Sequence, residues 1–478
     1  MFINFWIFSR FTVDDAFITW RYGKNLIDFG VWNYNPSTFD PTQAYTNPIY
    51  AALSIVPAAL HWNVVLFFKF VSLILAVSFV IWFVRVRPQA KLPLLVFFAV
   101  PATMIHLFSG LETFLYVVLV FALFVALRSS RQNLVIAITL GLFVTRPESW
   151  LLVVLVPLYL SFRKTFRLGE FIKYFIYLAA PLGIYFYVHL LLFGQALPNT
   201  FFVKSGQFFV GVNLLFWLLT LLPLFVVWVL GFRKLSVFGA LFTGAVAFNY
   251  STAFLSMDFA YRYVFHLVAP LVLFVIYLLS ESEPRARVAG KINTIFRNEN
   301  SNKAIVAAAL VVLGAASLNP EVLVTANYYP KLLAVHGELG RMTKEISKTE
   351  PIRAISIGDA GLLPYVAELP NLDLYRLGTH LGAAHGISQE LINRYEVDFA
   401  VLRGYAHAEE PIRKALRRRG LEFVCAADFG DEYRLQIWFK KSSLELREFC
   451  DRTNAQIGVG EWALFVKNVQ QAPWSFWK

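Results

Sequence analysis

The sequence predicts a polytopic α-helical membrane protein with a small α/β domain at its C-terminus. Apolar residues make up 58% of the 478-residue chain and charged residues 15%, whereas soluble proteins average roughly 45–50% and 25%. Many apolar residues fall in blocks close to the ~20 residues that cross a bilayer. From about Asn319 the pattern changes to short alternating segments typical of strands. These observations predict roughly 10–11 transmembrane helices in residues 1–318 and an α/β domain in residues 319–478.

The predicted spans differ in length. The longest apolar blocks are 64–84, 111–127, 171–193, 209–230, 235–255 and 264–279, and shorter ones are 134–144, 150–162 and 304–318. Residues 48–61 form a segment that is too short to cross a bilayer and that includes Pro57. We therefore expect a helix at the membrane surface there rather than a span. Residues 1–8 lack a basic segment and a cleavage site, so we expect the end of a truncated first helix rather than a signal peptide.

Basic residues cluster in alternate connections and predict an orientation. The clusters contain Arg85, Arg87, Lys91, Arg128, Arg131, Arg163, Lys164, Arg167, Lys173, Arg233, Lys234, Arg285, Arg287, Lys291 and Arg297. The positive-inside tendency assigns these connections to the cytoplasm. The outer loop 10–62 and residues 319–478 then face the periplasm or cell exterior, in a multi-pass protein of the cytoplasmic (inner) membrane. Because the clusters account for the net charge of +12, that charge does not indicate nucleic-acid binding.

The C-terminal domain is predicted from short alternating segments. Strands are expected at 352–357, 399–402, 423–426 and 435–439, with helices at 329–348, 389–395 and 410–418. The only two cysteines, Cys425 and Cys450, lie in this domain. Outside the cytoplasm they are permitted to form a disulfide, and two unpaired buried thiols are the alternative.

Two adjacent acids, Asp14 and Asp15, lie in the predicted outer loop. Asp14, Ile18 and Arg21 have helical spacing, so an acid and a base can share one face. Ionisable residues at a membrane boundary often mark substrate sites. The pair is therefore predicted to be catalytic, and two like charges this close should raise the pKa of one of them.

Two outer connections carry further ionisable residues, each with a structural alternative. Glu112 stands at a predicted helix start, where an acid also stabilises the helix dipole. Arg146 and Glu148 flank Pro147, which equally suits a helix boundary with a local ion pair.

Two more connections carry candidate phosphate ligands. Asn199 and Lys204 follow a turn and adjoin apolar rings, although a solvated loop would use the same residues. Asp258 precedes Arg262 and Tyr263, and an arginine fork suits a phosphate, whereas an interfacial belt is the alternative. We expect two acids and three cations to converge on one outer face, namely Asp14, Asp15, Arg146, Lys204 and Arg262. Transfer from a phosphate-linked donor requires that combination, because a base removes the acceptor proton while cations hold the leaving phosphate.

An ordered series of motifs resembles a known family. The motifs are Val13-Asp14-Asp15-Ala16-Phe17-Ile18 with Arg21-Tyr22, Tyr45-Thr46-Asn47-Pro48, Ser109-Gly110-Leu111-Glu112-Thr113, Thr145-Arg146-Pro147-Glu148, Leu197-Pro198-Asn199-Thr200 with Lys204, Asp258 with Arg262-Tyr263, Ile357-Gly358-Asp359-Ala360-Gly361 and Leu372-Asp373-Leu374. Their order resembles the C-type (GT-C) integral membrane glycosyltransferases. The greatest similarity is to the terminal β-(1→2) arabinofuranosyltransferases of mycobacterial cell-wall assembly and their relatives.

The resemblance implies an inverting transfer, outside the cytoplasm, from a polyprenyl-phosphate-linked sugar to an envelope glycan, lipid or protein. It implies Asp14 or Asp15 as general base and Arg146, Lys204 and Arg262 near the donor phosphate. The remaining site candidates are Arg21, Glu112, Glu148, Asn199, Asp258 and Tyr263. Some relatives use a divalent cation, which Asp14 and Asp15 could hold. The chain departs from the family in its incomplete first helix and its smaller C-terminal region, which leaves the acceptor open.

Two other classes of protein compete with this interpretation. A transporter or flippase for a lipid-linked saccharide would bury ionisable groups at mid-membrane and contain repeated halves. The candidate residues here instead fall in outer connections, and the sequence has no evident repeat. A structural envelope subunit would account for the apolar blocks but not for the paired acids.

Overall fold

The protein is described here by a computed structural model. It describes residues 2–129, 131–162, 166–204, 221–251, 253, 259–281, 320–383, 386–403, 410–430, 433–441, 443–458 and 463–464. The predicted span 304–318 and much of 209–230 lie outside these residues. The chain divides into two compact units. The helical unit comprises Met1–Ser9, Phe68–Val188 and Lys204–Val322, and the mixed unit comprises Arg10–Phe67, His189–Val203 and Leu323–Lys478.

Apolar helices dominate the first 281 residues. Within the described ranges, three helices are long and apolar enough to cross a membrane, namely Val64–Val86, Leu168–Phe193 and Phe259–Leu279. Pro88–Ala99 and Pro101–Phe108, bent by 74°, can together form a fourth. The bend falls at Val100, because a residue before proline disfavours helical backbone. These helices support membrane association and contain the predicted spans 64–84, 171–193 and 264–279. The total number of spans and their sidedness stay predictions.

Two of these segments each combine a 3₁₀ turn with α-helix, namely Pro88–Ala90 with Lys91–Ala99 and Phe259–Tyr261 with Arg262–Leu279. The other described helices of the helical unit are shorter and are Phe2–Phe8, Thr113–Ser129, Gln132–Phe143, Leu152–Ser161 and Arg233–Ser251, with a 3₁₀ turn at Pro147–Leu151. Aromatic rings pack between them, as where Phe83 stacks on Phe121 with centroids 5.3 Å apart. At one end of this packing, Glu281 pairs with both Arg87 and Arg128, at 3.2 and 2.7 Å.

The mixed unit contains a five-stranded sheet in the order β2-β1-β3-β5-β4. The strands are β1 Ala354–Ile357, β2 Asn371–Asp373, β3 Val397–Arg403, β4 Glu422–Gly430 and β5 Tyr433–Phe439. β1 is parallel to β2 and β3, whereas β5 is antiparallel to β3 and β4. The parallel strands β1 and β2 are buried throughout, and β3 nearly so, as expected for strands covered on both faces.

Short helices surround this sheet. Those of the mixed unit are Asp14–Phe29, Pro48–Leu53, Ile55–Ala59, Pro320–Leu332, Glu338–Thr349, Leu362–Ala367, His380–Ala383, Gln389–Arg394, Glu410–Arg418 and Leu444–Ile457. Asn199–Lys204 is a further short helix, and Leu333–Gly337 forms a π-helical turn. A disulfide joins Cys425 in β4 to Cys450 in the last helix. Of the two alternatives for the cysteines, the structure therefore contains the disulfide.

Candidate functional site

Asp14 opens the Asp14–Phe29 helix and is almost completely buried, at 2% exposure. Its Oδ1 accepts a hydrogen bond from the backbone N–H of Leu362 at 2.7 Å, and its Oδ2 accepts one from Gly361 at 3.1 Å. Gly361 permits this approach, because a Cβ there would come well within 3.0 Å of the Asp14 carboxyl group. Asp14 thus binds the first backbone amides of the Leu362–Ala367 helix.

Burial raises the pKa of Asp14 to about 7. His336 and the Leu362 amide lower this pKa, but by less than burial raises it. The charges of Asp359 and Asp15 raise it further. The sequence predicted that one acid of the pair would have a raised pKa because its neighbour is also an acid. Burial is the larger cause, because it disfavours the charged carboxylate wherever water is excluded.

Asp15 has a different environment from Asp14. Its side chain is half-buried, and no described residue donates a hydrogen bond to it or pairs with its charge. The two acids therefore divide into one that holds backbone amides and one whose carboxylate oxygens are open to another proton donor.

Three further residues complete an acidic group in the mixed unit, which we define as Asp14, Asp15, Asp359, His336 and Tyr328. His336 Nε2 lies 2.9 Å from Asp359 Oδ2. His336 belongs to the π-helical turn, and such turns occur often at functional sites. Burial raises the pKa of Tyr328 well above its ordinary value, and the charges of Asp14, Asp359 and Asp15 raise it further. Tyr328 therefore stays a neutral hydroxyl beside the carboxylates.

Arg21 and Asn199 make structural contacts in the mixed unit. Arg21 is 1% exposed and donates to the backbone oxygen of Leu369 at 2.6 Å. Its guanidinium also lies over the Tyr34 ring. The side-chain amide of buried Asn199 donates to three backbone oxygens, those of Arg376, Leu377 and Thr379. Both residues hold backbone segments in place.

In the helical unit, Arg146 is the centre of a buried ion network. It donates to Glu112 at 2.7 Å and, through two nitrogens, to Glu148 at 2.8 and 3.1 Å. Tyr250 donates to Glu148 at 2.8 Å, and His266 Nε2 lies 3.3 Å from Arg146. The structure thus contains the local ion pair between Arg146 and Glu148 that the sequence analysis gave as the structural alternative to a role in the site. Two carboxylates already surround the single guanidinium.

Arg262 lies in the same unit and is 7% exposed. It donates to the hydroxyl of Tyr263 at 2.8 Å. The two preceding residues, Ala260 and Tyr261, have positive φ angles of 48° and 53°. Non-glycine residues pay a strain energy in this region, and such strain is often found at functional sites. Lys204, also assigned to the helical unit, is half-buried at the end of its helix. Asp258 lies outside the described residues.

Sequence reasoning missed His336 and Tyr328 and gave Asp359 no role. The signal for Asp359 was its position in a Gly-Asp-Ala-Gly run directly after a strand. Within the described ranges, no three His, Cys, Asp or Glu side chains are grouped so as to hold a metal ion. Comparisons of the chain with protein-family models, curated proteins and solved structures find no match.

Proposed function

We propose that the protein is an inverting membrane glycosyltransferase of the C-type (GT-C) class with a multi-pass domain of roughly 10–11 spans. It moves a sugar, with arabinofuranose the first candidate, from a polyprenyl-phosphate donor to an envelope glycan, lipid or protein. The observation that carries the proposal is the pair Asp14 and Asp15, because one carboxylate is fixed by backbone amides and its neighbour is open to a proton donor. The ordered motifs of the sequence give the class.

Asp15 is the better candidate for the general base. A general base must be within hydrogen-bond reach of the acceptor hydroxyl, so an accessible carboxylate with lone pairs not engaged by fixed donors is better placed. Asp14 is 2% exposed and each of its oxygens already accepts a backbone N–H group, so it is the less accessible of the two. We assign Asp14 the role of positioning the start of its helix, and hence Asp15.

The reaction follows from these roles. Asp15 takes the proton of the acceptor hydroxyl while that oxygen bonds to the anomeric carbon of the donor sugar. The bond from the anomeric carbon to the phosphate oxygen breaks, and the polyprenyl phosphate leaves with the electron pair. Attack from the face opposite the leaving group inverts the anomeric centre. Some members of the proposed class use a divalent cation, which Asp14 and Asp15 would hold here. No step of the reaction as written depends on that cation.

Arg262 and Lys204 are the better candidates for the donor phosphate. Negative charge grows on the phosphate as the glycosidic bond breaks, so a cation there stabilises the transition state more than the ground state. Arg146 carries a charge already balanced by Glu112 and Glu148. We therefore expect Arg146 to organise these two acids.

An extracytoplasmic location for the C-terminal domain is part of the proposal. Disulfides persist in oxidising compartments and are rare in the cytosol. The Cys425–Cys450 disulfide supports the orientation predicted from the basic connections.

The direct test is a transfer assay with the purified full chain in nanodiscs. Polyprenyl-phosphate arabinofuranose, mannose and glucose are each offered with short envelope glycans, and products are identified by mass spectrometry. We expect one donor to give a new glycosidic bond of inverted configuration. Movement of the donor lipid across proteoliposome membranes with no new glycosidic bond would instead favour the transporter or flippase. The Asp15→Asn variant should lose transfer without losing its fold.

A further inference from the structure

A cavity of about 230 Å³ opens at one edge of the sheet in the mixed unit. Ile357 and Asp359 line it from the end of β1, Tyr375 from just after β2, and Val401 and Arg403 from the end of β3. Because these three strands are parallel, the cavity lies at their carboxyl ends.

The strand order marks this edge as a ligand site. The chain passes from β1 outward to β2 and then returns to place β3 on the other side of β1. At such a switch point the connections that leave the carboxyl ends of β1 and β3 run in opposite directions, which opens a crevice between them. Ligands of open α/β sheets bind in this crevice, outside the carboxyl ends of the strands.

Arg403 is held in a fixed orientation at the wall of the cavity. Its guanidinium carbon lies 4.2 Å from the centroid of the Tyr433 ring, and its Nη1 donates to the Tyr375 hydroxyl at 3.2 Å. A planar guanidinium stacked on a ring keeps a fixed plane, in which its N–H groups are directional donors.

Asp359 supplies the opposite charge. Its side chain is 12% exposed and is oriented by His336 at 2.9 Å. The described lining carries one carboxylate and one guanidinium, whose charges are opposite, so it has no net charge that would favour an anion or a cation. Hydroxyl groups can both donate to a carboxylate and accept from a guanidinium. The tyrosine rings add flat apolar faces beside these polar groups.

We infer that this cavity binds one neutral sugar unit of a glycan. Its volume falls below the roughly 300–1,000 Å³ of pockets for drug-sized ligands, which suits a single ring held by its hydroxyls. Asp359 also acts electrostatically on Asp14, so the cavity belongs to the same neighbourhood as the proposed base. The choice of a saccharide over other polyols rests on the proposed function, and the sugar would be part of the acceptor.

Binding is measured with the full chain in nanodiscs, by saturation-transfer NMR and calorimetry, without any donor. The probes are methyl α-D-arabinofuranoside, methyl α-D-mannopyranoside, glucuronate and inorganic phosphate. We expect one neutral glycoside to bind and neither anion to compete. Arg403→Lys and Tyr375→Phe should each weaken that binding at least tenfold, because they remove the fork and the hydroxyl that orients it.

Arg394→Lys is the matched control, since Arg394 also lies over an aromatic ring, that of Phe39, but does not line the cavity. It should bind the glycoside as the unchanged protein does. Equal loss in Arg394→Lys, displacement by phosphate, or no glycoside binding at all would overturn the inference. Transfer without measurable glycoside binding overturns the inference and leaves the proposed function intact. Glycoside binding without transfer to any acceptor leaves the inference intact and overturns the proposed function.

Discussion

The carboxylate of Asp14 accepts a hydrogen bond from the backbone N–H of Leu362, at 2.7 Å and across 348 residues of sequence. The contact closes the mixed unit between its first helix and the loop after β1. It gives one member of the acid pair a structural role, and the proposed function assigns catalysis to the other.

Asp15→Asn should remove most transfer activity while the protein stays folded. Loss of a proton-transfer group costs about 10²–10⁴ in rate, so kcat should fall by that factor with little change in donor KM. The assay is steady-state transfer with whichever of the three offered donors supports it. A variant with near-normal turnover would place the base elsewhere. Asp28→Asn is the control, because Asp28 lies in the same helix, well away from its first turn.

Asp14→Ala should destabilise the protein. It leaves the amides of Gly361 and Leu362 buried without an acceptor, and each such group costs about 1–3 kcal/mol. Denaturant titration in detergent should show a fall in the free energy of unfolding of at least that size. Asp28→Ala removes only a surface pair with Lys24 and should change the same quantity by less than about 1 kcal/mol. Similar losses in the two variants would refute the anchoring role of Asp14.

Asp14 and Asp373 should make the mixed unit less stable as pH rises from about 4 to about 7. Burial raises the pKa of both Asp14 and Asp373 to about 7, from an ordinary value of 3.8. In this window the unfolded chain releases protons that the folded protein keeps, so ionisation favours unfolding. Above pH 7 the trend should level off. Asp14→Asn should reduce the slope by up to one proton, as measured by denaturant titration at each pH, and an unchanged slope would contradict the raised pKa.

Arg262→Lys should impair use of the donor. Lysine keeps the charge but loses the planar fork and its contact with Tyr263, so we expect a higher donor KM and a lower kcat. The combined loss in kcat/KM should reach about 10²-fold, as when a preorganised donor is removed from a site of developing charge. Arg233→Lys is the control, since Arg233 is exposed and lies over the Trp228 ring. Equal effects in both variants would remove Arg262 from the site.

Ser129→Cys and Lys414→Cys should react with an impermeant thiol reagent from opposite sides of the membrane. Both positions are exposed. The basic connections predict that Ser129 is cytoplasmic and that Lys414 is outside. The native cysteines form a disulfide and should not react. Labelling of both variants in intact cells would overturn the predicted orientation.

The sequence predicted those strands and helices that are determined by the residues within them. β1, β3, β4 and β5 were expected because each is an apolar or alternating run, and the Glu410–Arg418 helix has the expected bounds. β2 was missed because Asn371-Leu372-Asp373 has only one apolar residue. The Leu362–Ala367 helix was missed because it is short and its first amides are bound by Asp14, a distant residue.

The contacts of the candidate site were likewise predictable only where the two partners are close in sequence. The pairing of Arg146 with Glu148 spans two residues and was anticipated as a local ion pair. The bonds from Arg146 to Glu112 and from Tyr250 to Glu148 span 34 and 102 residues. Nothing in one sequence marks such partners. His336 was missed for the same reason, because its partner Asp359 lies 23 residues further along the chain.

Glu281 sets an order for assembly of the helical unit. Its carboxylate binds Arg87, 194 residues earlier, and Arg128, 153 residues earlier. During synthesis both arginines therefore leave the ribosome long before their shared partner exists. In the predicted topology, neither arginine has this partner while the basic connections direct insertion. Only after the Arg262–Leu279 helix is complete does Glu281 arrive to join the two segments. The residue that joins Arg87 to Arg128 is thus made only after the stage at which, in the predicted topology, the charges of the two arginines orient the chain.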